Sequence, residues 1–160
     1  MVRLKPMDAT EFLESLARSV QRHADDSVRR GIWTREHALE ASRAEYDRLL
    51  PQGLATPHFH LCRVIDTANG ASVGETWYTV REKGGNLQFW VDWIWIEPEF
   101  RRRGFANQVL EQLEAEARQR GADRFGLNVS ADNPAALALY GRFGFVPVSM
   151  HMIKFLPPTP

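Results

Sequence analysis

The stretch that decides the fold is IWIEPEFRRRGFA, residues 94–106. An apolar run stops at Pro98, and Phe105 begins a series of apolar residues spaced four apart, which predicts a strand, a short loop and a helix. Amide groups at a helix start lack intrahelical partners and carry partial positive charge, so they bind phosphate well. Gly104 has no Cβ that would hold an anion away from the backbone. The stretch predicts an anion site, although a solvated basic loop ahead of an ordinary helix would show the same pattern.

Charge and motif content limit which kind of anion site this is. Arg101, Arg102 and Arg103 add donors and positive charge beside the helix start. No GxGxxG segment follows a predicted strand, and no GxxxxGKS or GxxxxGKT segment occurs, which excludes the common dinucleotide and nucleoside-triphosphate loops. The chain has 20 Lys+Arg and 20 Asp+Glu, a net charge of zero. This balance argues against a globally basic nucleic-acid binder.

Length and composition predict one globular domain. With 160 residues and 44% hydrophobic residues, the chain has the size of an ordinary domain with a sizeable core. We predict a single domain over residues 1–156 and a short proline-rich tail over residues 157–160. The single cysteine, Cys62, allows no internal disulfide, and no signal peptide or membrane span is recognised. We therefore expect a cytoplasmic protein with neither membrane nor nucleic acid as partner.

Capping residues predict where the helices begin. Asp8 followed by Glu11 is typical of a helix start, and Thr34 is expected to cap a second helix. Asn133 and Pro134 predict another helix, with the asparagine as N-cap and the proline as first helical residue.

Runs of β-branched and aromatic residues between turn signals predict the strands. They cover residues 2–5, 59–66, 72–81, 87–97 and 124–130, followed by a last extended segment over residues 145–155. The order of elements is β-α-α-β-β-β-α-β-α-β. It is typical of a mixed α/β domain, in which a crossover helix joins an antiparallel meander to a parallel strand.

Two motifs resemble those of a known family. Arg101-x-x-Gly104-x-Ala106 resembles the Gln/Arg-x-x-Gly-x-Gly/Ala signature of the GNAT superfamily of N-acetyltransferases, and NPAALALYGRFGF, residues 133–145, is similar to its N-x-x-A-x-x-L-Y-x-x-x-G-F segment. Both motifs in this order, with a strand between them, are more specific than either alone. The resemblance implies a mostly antiparallel sheet of about six to seven strands with one splayed parallel pair, flanked by about four helices.

The resemblance also implies acetyl-CoA as co-substrate and no metal. The backbone of Ile94, Trp95 and Ile96 is expected to pair with the pantetheine arm. Asn133 matches an asparagine that commonly contacts the cofactor, although a plain N-cap would explain it equally well. The pyrophosphate is expected at the amides that match the family's loop, with Arg101 beside them: Arg102, Arg103, Gly104, Phe105, Ala106 and Asn107.

Two residues are candidates for acid–base catalysis. Tyr140 matches the tyrosine that usually points at the thioester sulfur, and a phenol of pKa about 10 can protonate a departing thiolate. A core tyrosine would leave the same pattern. Asp92 is the predicted base because burial in an apolar strand raises the pKa of a carboxyl group. The alternative is a carboxylate satisfied by arginine or backbone partners. Glu97 and Glu75 are further options for the base. The glutamate base of the ribosomal-protein N-terminal acetyltransferases corresponds to Asn128, so their mechanism is not expected.

These residues predict an enzyme that moves acetyl from acetyl-CoA to a primary amine of a small molecule or protein. A non-catalytic acyl-CoA-binding sensor or scaffold is the alternative. Four tryptophans within residues 77–95 would favour an acceptor with an apolar or aromatic body if they line its cleft. His58 and His60 have no third ligand at suitable spacing, so no metal site is predicted. The short C-terminal segment would leave a sheet edge able to pair with a second subunit, which makes a homodimer an option.

Overall fold

A computed structural model describes residues 1–156, so the proline-rich tail predicted at residues 157–160 lies outside the described residues. The chain divides into two compact units, Met1–Asn128 and Val129–Pro160. In chain order the first unit contains β1 (Val2–Pro6), α1 (Ala9–Arg29), α2 (Ala38–Leu49), β2 (Phe59–Asp66), β3 (Ser72–Lys83), β4 (Asn86–Ile96), α3 (Phe105–Gln119) and β5 (Arg124–Leu127). The described part of the second unit contains α4 (Pro134–Arg142).

The strands form one mixed sheet in the order β1-β2-β3-β4-β5. The first four pair antiparallel as neighbours along the chain, and β5 joins β4 in parallel after the crossover through α3. The predicted mixed α/β class with one parallel pair is confirmed. The described residues form a sheet of five strands, so the expected six to seven strands were too many.

The last extended segment, predicted over residues 145–155, is not a strand. It makes no ladder with any strand of the described chain. Its apolar side chains stay exposed, as Val148 at 91% and Met152 at 82% illustrate. Pro147 removes one backbone donor, and an extended segment without a paired neighbour is not held as β-structure.

The two faces of the sheet carry different helices. Successive residues of a strand point to opposite faces, and Leu61 and Trp77 pack with Phe12 of α1 and with Leu50 just after α2. On the other face, Tyr78 and its neighbours pack against the apolar stripe of α3. That stripe consists of Phe105, Val109, Leu113 and Ala117.

Of the two helix caps predicted in the first unit, the one at Asp8 forms and the one at Thr34 does not. Asp8 and Glu11 form the predicted capping box, since the Glu11 amide donates to Asp8 Oδ1 at 2.9 Å and the Asp8 amide donates to Glu11 Oε2 at 3.0 Å. Thr34 does not cap α2, which begins only at Ala38. The Thr34 hydroxyl lies 2.9 Å from His37 Nδ1 instead. Within residues 1–156 no helix has the length and apolar character needed to cross a bilayer.

Candidate active site

The connection between β4 and α3 presents a row of amide groups. Residues Pro98–Phe100 form a short 3-10 turn, and α3 begins at Phe105 with Gly104 as its N-cap and no side-chain cap. As far as the structure describes the chain, the amides from Arg102 to Asn107 donate to no backbone carbonyl. Unpaired amides at a helix start form an anion site. The loop therefore has the donors that the sequence predicts for phosphate.

Two loop residues adopt left-handed backbone conformations. Arg102 has a φ of 62° and Gly104 a φ of 81°. The conformation costs glycine little, but it costs arginine free energy, and such outliers concentrate at functional sites. A Cβ at Gly104 would have its nearest neighbour, Gln108 Nε2, 4.0 Å away. The space beside these amides is therefore open to a ligand.

The three loop arginines differ in what they contact. Arg101 donates from Nε to the Ile96 carbonyl at 2.9 Å, and its guanidinium lies 4.5 Å from the centroid of the Trp95 ring. Arg103 lies over the rings of Phe100 and Phe105, at 5.6 and 5.2 Å. Arg102 is exposed. Two of the three side chains thus fold back and contact the loop or the strand before it.

β4 continues beyond its partner on the β5 side. Parallel pairing ends at Val91↔Leu127, whereas β4 runs on to Ile96 and stays paired with β3 on its other side. Among the described strands none pairs with this part of the β4 edge. Ile94 and Ile96 turn their side chains to the α3 core, and Trp95 lies on the other face. The three predicted residues therefore lie on a strand edge that no described strand pairs on the β5 side, although the Ile96 carbonyl already accepts from Arg101 Nε.

Asp92 directly follows Val91, the last residue of β4 that pairs with β5. In the register between β3 and β4, Trp77 faces Trp93 and Tyr78 faces Val91, so Asp92 is the extra residue of a β-bulge. Burial raises the pKa of its carboxyl group to about 6, against smaller opposing effects of Thr79 and Arg81. Its Oδ2 is buried and has no hydrogen-bond partner within the described chain. A carboxylate of this kind can accept a proton near neutral pH.

Asn133 and Tyr140 both belong to α4 in the second unit. The Asn133 side chain accepts from the Ala136 amide at 3.1 Å, so it is an N-cap as its position predicts. Tyr140 lies at the other end of the helix, with its ring 5.7 Å from that of Phe145 in an edge-on arrangement. Burial raises the pKa of the Tyr140 phenol above its usual value of 10.0. This phenol therefore stays protonated at neutral pH and can act as a donor.

The α1 face of the sheet contains a buried charge cluster around Glu75. The sequence did not predict that these residues meet. Glu75 is fully buried, and its Oε2 accepts from Arg18 Nη2 at 3.1 Å and from Arg63 Nη1 at 3.3 Å. Its Oε1 accepts from the Trp93 indole at 3.3 Å and lies 3.7 Å from Arg22 Nη1. Glu75 is thus enclosed by donors. One signal was present, because arginines four positions apart on the inward side of an amphipathic helix need a buried anion.

Other candidate groups are placed away from this chemistry. Residues 1–156 contain no group of three or more His, Cys, Asp or Glu side chains that could hold a metal ion. His60 stacks on Tyr78 at 4.7 Å. Cys62 is buried, and burial raises the pKa of its thiol to about 11, so it remains a thiol at neutral pH.

Comparison with known proteins shows the family of the chain. The family model described as "Acetyltransferase (GNAT) family" matches residues 24–145. The uncharacterized N-acetyltransferase YycN of Bacillus subtilis is 33% identical over 156 residues, covering 97% of this chain and 99% of the relative. A second Bacillus subtilis relative, the uncharacterized N-acetyltransferase YdgE, is 28% identical over 96% of this chain and 97% of its own length.

Solved structures agree at the level of the fold. The crystal structure of the putative acetyltransferase YycN from Bacillus subtilis has a TM-score of 0.91 at 30% identity, covering 99% of this chain and 100% of that one. A putative acetyl transferase from Pyrococcus furiosus, 20% identical, has a TM-score of 0.71 over 98% of this chain and 100% of its own. With a family match that spans both motifs and relatives that cover nearly the whole chain, this protein belongs to the acetyltransferase (GNAT) family.

Proposed function

We propose that this protein transfers the acetyl group of acetyl-CoA to a primary amine of a small molecule or protein. The observation that carries the proposal is the run from Asp92 to Asn107. A carboxyl group of raised pKa, an unpaired strand edge and a row of free amides follow one another along it. The amides suit a diphosphate, and the strand edge suits an extended chain with amide groups. Coenzyme A has both parts.

Each catalytic candidate has a distinct task in this proposal. Acetyl-CoA would supply an acetyl group activated as a thioester. Asp92 would remove a proton from the acceptor's ammonium group, which frees the nitrogen lone pair that forms the new N–C bond. Tyr140 Oη would give its proton to the thiolate released when the C–S bond breaks, a role suggested by its match to the family's tyrosine. A phenol whose pKa is raised by burial holds that proton at neutral pH.

Release of free thiol from acetyl-CoA in the presence of a panel of amines tests the proposal. We expect thiol release that depends on the amine, and Tyr140→Phe should lower kcat about 100-fold or more. The KM for acetyl-CoA should change little, because the diphosphate would bind elsewhere. Full turnover by Tyr140→Phe would remove the proposed role of the phenol. Tight binding of acetyl-CoA without thiol release on any amine would instead support a non-catalytic acyl-CoA-binding module.

A further inference from the structure

The cluster around Glu75 contains more positive than negative charge. We name Arg18, Arg22 and Arg63 the arginine cluster; all three lie within 3.7 Å of the single Glu75 carboxylate. Including Arg101 and Glu97, whose charges also act on Arg22, four guanidinium groups face two carboxylates. The surplus of two positive charges lies partly out of water, where uncompensated charge is costly. An anion bound here would offset that cost.

Among the described residues, two donors of the arginine cluster make no hydrogen bond, although one of them, Arg22 Nη1, forms an ion pair with Glu75 at 3.7 Å. Arg22 Nη1 and Arg18 Nε are buried and make no hydrogen bond within the described chain. Burial also lowers the pKa of the Arg22 guanidinium, which shows that its charge is poorly solvated. The side chains of Arg18 and Arg22 are nevertheless 36% and 21% exposed. A ligand can therefore contact the exposed part of these two side chains from solvent, while Arg22 Nη1 and Arg18 Nε themselves are covered.

Aromatic rings lie beside the arginine cluster. Trp93 and Trp95 stack with their ring centroids 6.1 Å apart and an interplanar angle of 4°. The Arg22 guanidinium lies 3.8 Å from the centroid of the Trp95 ring. Planar guanidinium and indole groups in contact suit a ligand that combines a flat apolar body with a carboxylate.

The arginine cluster and the candidate base are on the same part of the sheet. Glu75 faces Trp95 in the strand register, and Asp92 directly precedes Trp93. The three residue-to-residue steps from Asp92 to Trp95 span about 10 Å along a strand. A molecule of moderate length can therefore place its amine near Asp92 and a second group near Arg22, whose long side chain shortens the distance to be bridged.

We propose that the acceptor is an amine that also carries a carboxylate, bound by Arg18 and Arg22, with an apolar or aromatic body against Trp93 and Trp95. This inference rests on the proposed acetyl transfer to an amine. It narrows the acceptor class to amino acids in the broad chemical sense. It also disfavours polyamines, which the surplus positive charge repels.

A matched pair of acceptors tests the inference. We would compare para-aminomethylbenzoate with para-aminomethylbenzamide, which differ only in whether the group opposite the amine is anionic. We expect kcat/KM to be about 10- to 100-fold higher for the carboxylate, the range of one charge-assisted hydrogen-bonded pair. Arg22→Gln should reduce this ratio to near one. Arg29→Gln, on the same helix but 64% exposed and paired with Asp26, should leave the ratio unchanged.

A second measurement needs no turnover. Benzoate should quench the protein's tryptophan fluorescence more strongly than benzamide, and Arg22→Gln should abolish the difference. If the wild type acetylates both acceptors equally, or prefers spermidine, the inference is wrong while the proposed function stands. If benzoate binds through Arg22 but no amine releases thiol, the anion site stands and the proposed function fails.

Discussion

Asp92 is the extra residue of the β-bulge in β4, and this position explains the raised pKa of its carboxyl group. In a regular strand Val91 and Trp93, two residues apart, would point to the same face, but here Val91 packs in the α3 core and Trp93 beside Trp77 on the other face. The bulge instead leaves Asp92 without an opposite residue, and its carboxyl group is half-buried with one oxygen unpartnered. An acid in an apolar strand was visible in the sequence. The bulge was not, because register depends on which residues of the two strands finally meet.

Asp92→Asn should remove an ionisation from the pH dependence of catalysis. A base works when deprotonated, so wild-type kcat/KM should rise with pH and level off above about 6, the pKa that burial gives this carboxyl group. The Asn variant should lack this limb and be slower by about 100-fold at pH 7.5. Steady-state kinetics from pH 5 to 9 would measure it. Asp47→Asn, an exposed change on α2, serves as control, and an unchanged profile in Asp92→Asn would rule this base out.

The same substitution should stabilise the fold at neutral pH. The pKa of Asp92 rises from an ordinary 3.8 to about 6 on folding, so the native state holds the proton more tightly than the unfolded state. This group therefore reduces stability as pH rises from about 4 to about 6, and the full cost applies above that range. Asp92→Asn should therefore raise the free energy of unfolding at pH 7 by about 1–2 kcal/mol. The gain is less than the full pKa shift implies, because the site is partly solvated.

At the scale of elements, α3 has a left-handed glycine at each end. Gly104 precedes its first residue with a φ of 81°, and Gly121 follows its last turn with a φ of 72°. Neither position has neighbouring atoms that would block a methyl group, since the nearest atom at Gly104 is 4.0 Å away and nothing lies within 4 Å at Gly121. The two glycines are therefore alike in backbone strain, but only Gly104 borders the free amides.

Changing each glycine to alanine should separate stability from cofactor binding. Gly104→Ala and Gly121→Ala should each cost about 1–2 kcal/mol of folding stability, because an L residue is strained in this conformation. Only Gly104→Ala should also weaken coenzyme A binding, by about tenfold or more. The backbone at residue 104 would move to relieve the strain of the left-handed alanine, and this movement would displace the loop amides that bind phosphate. Calorimetric titration of both variants would measure this. Equal affinity in the two variants would contradict a phosphate site at this loop.

Local sequence signals predicted most helices and strands. They failed where the extent of a strand depends on pairing with another strand. β2 was predicted over residues 59–66 and occupies Phe59–Asp66, since a run of strand-forming residues between turn signals defines it. β5 was expected to reach residue 130 but ends at Leu127, where its pairing with β4 stops. The segment over residues 145–155 has the apolar alternation of a strand without a partner. Strand ends depend on a neighbour that is remote in sequence, which a local pattern does not contain.

At the scale of the whole molecule, Glu75 ties α1 to the sheet. Its partners come from α1, β2 and β4, and the Arg18 contact spans 57 positions. The spacing of Arg18 and Arg22 indicates that α1 needs a buried anion, but nothing local tells which acid supplies it. From the sequence Glu75 was an optional base, and only the fold shows that its carboxylate is occupied by donors.

Glu75→Gln should destabilise the whole first unit. Removing a buried charge while its partners remain costs about 3–5 kcal/mol, since three guanidinium groups would lose their shared anion. Glu45→Gln is the matched control, because Glu45 is 45% exposed and pairs with His23 at the surface; its expected cost is at most about 1 kcal/mol. Urea unfolding of both variants would measure the difference. Similar losses in the two would show that the cluster contributes little to stability.

The parallel pairing of β4 and β5 can form only late in synthesis of the first unit, because β5 follows α3 in the chain. A ribosome adds residues from the N-terminus, so the antiparallel strands β1 to β4 and the helix α3 exist before residue 124 is made. Domains generally fold as units, so the first unit is complete only when β5 has been made. Before that point the nascent chain already carries the anion loop and the bulge, but it lacks the strand against which β4 diverges. One wall of the proposed cofactor cleft is therefore supplied by one of the last segments of the first unit to be synthesised.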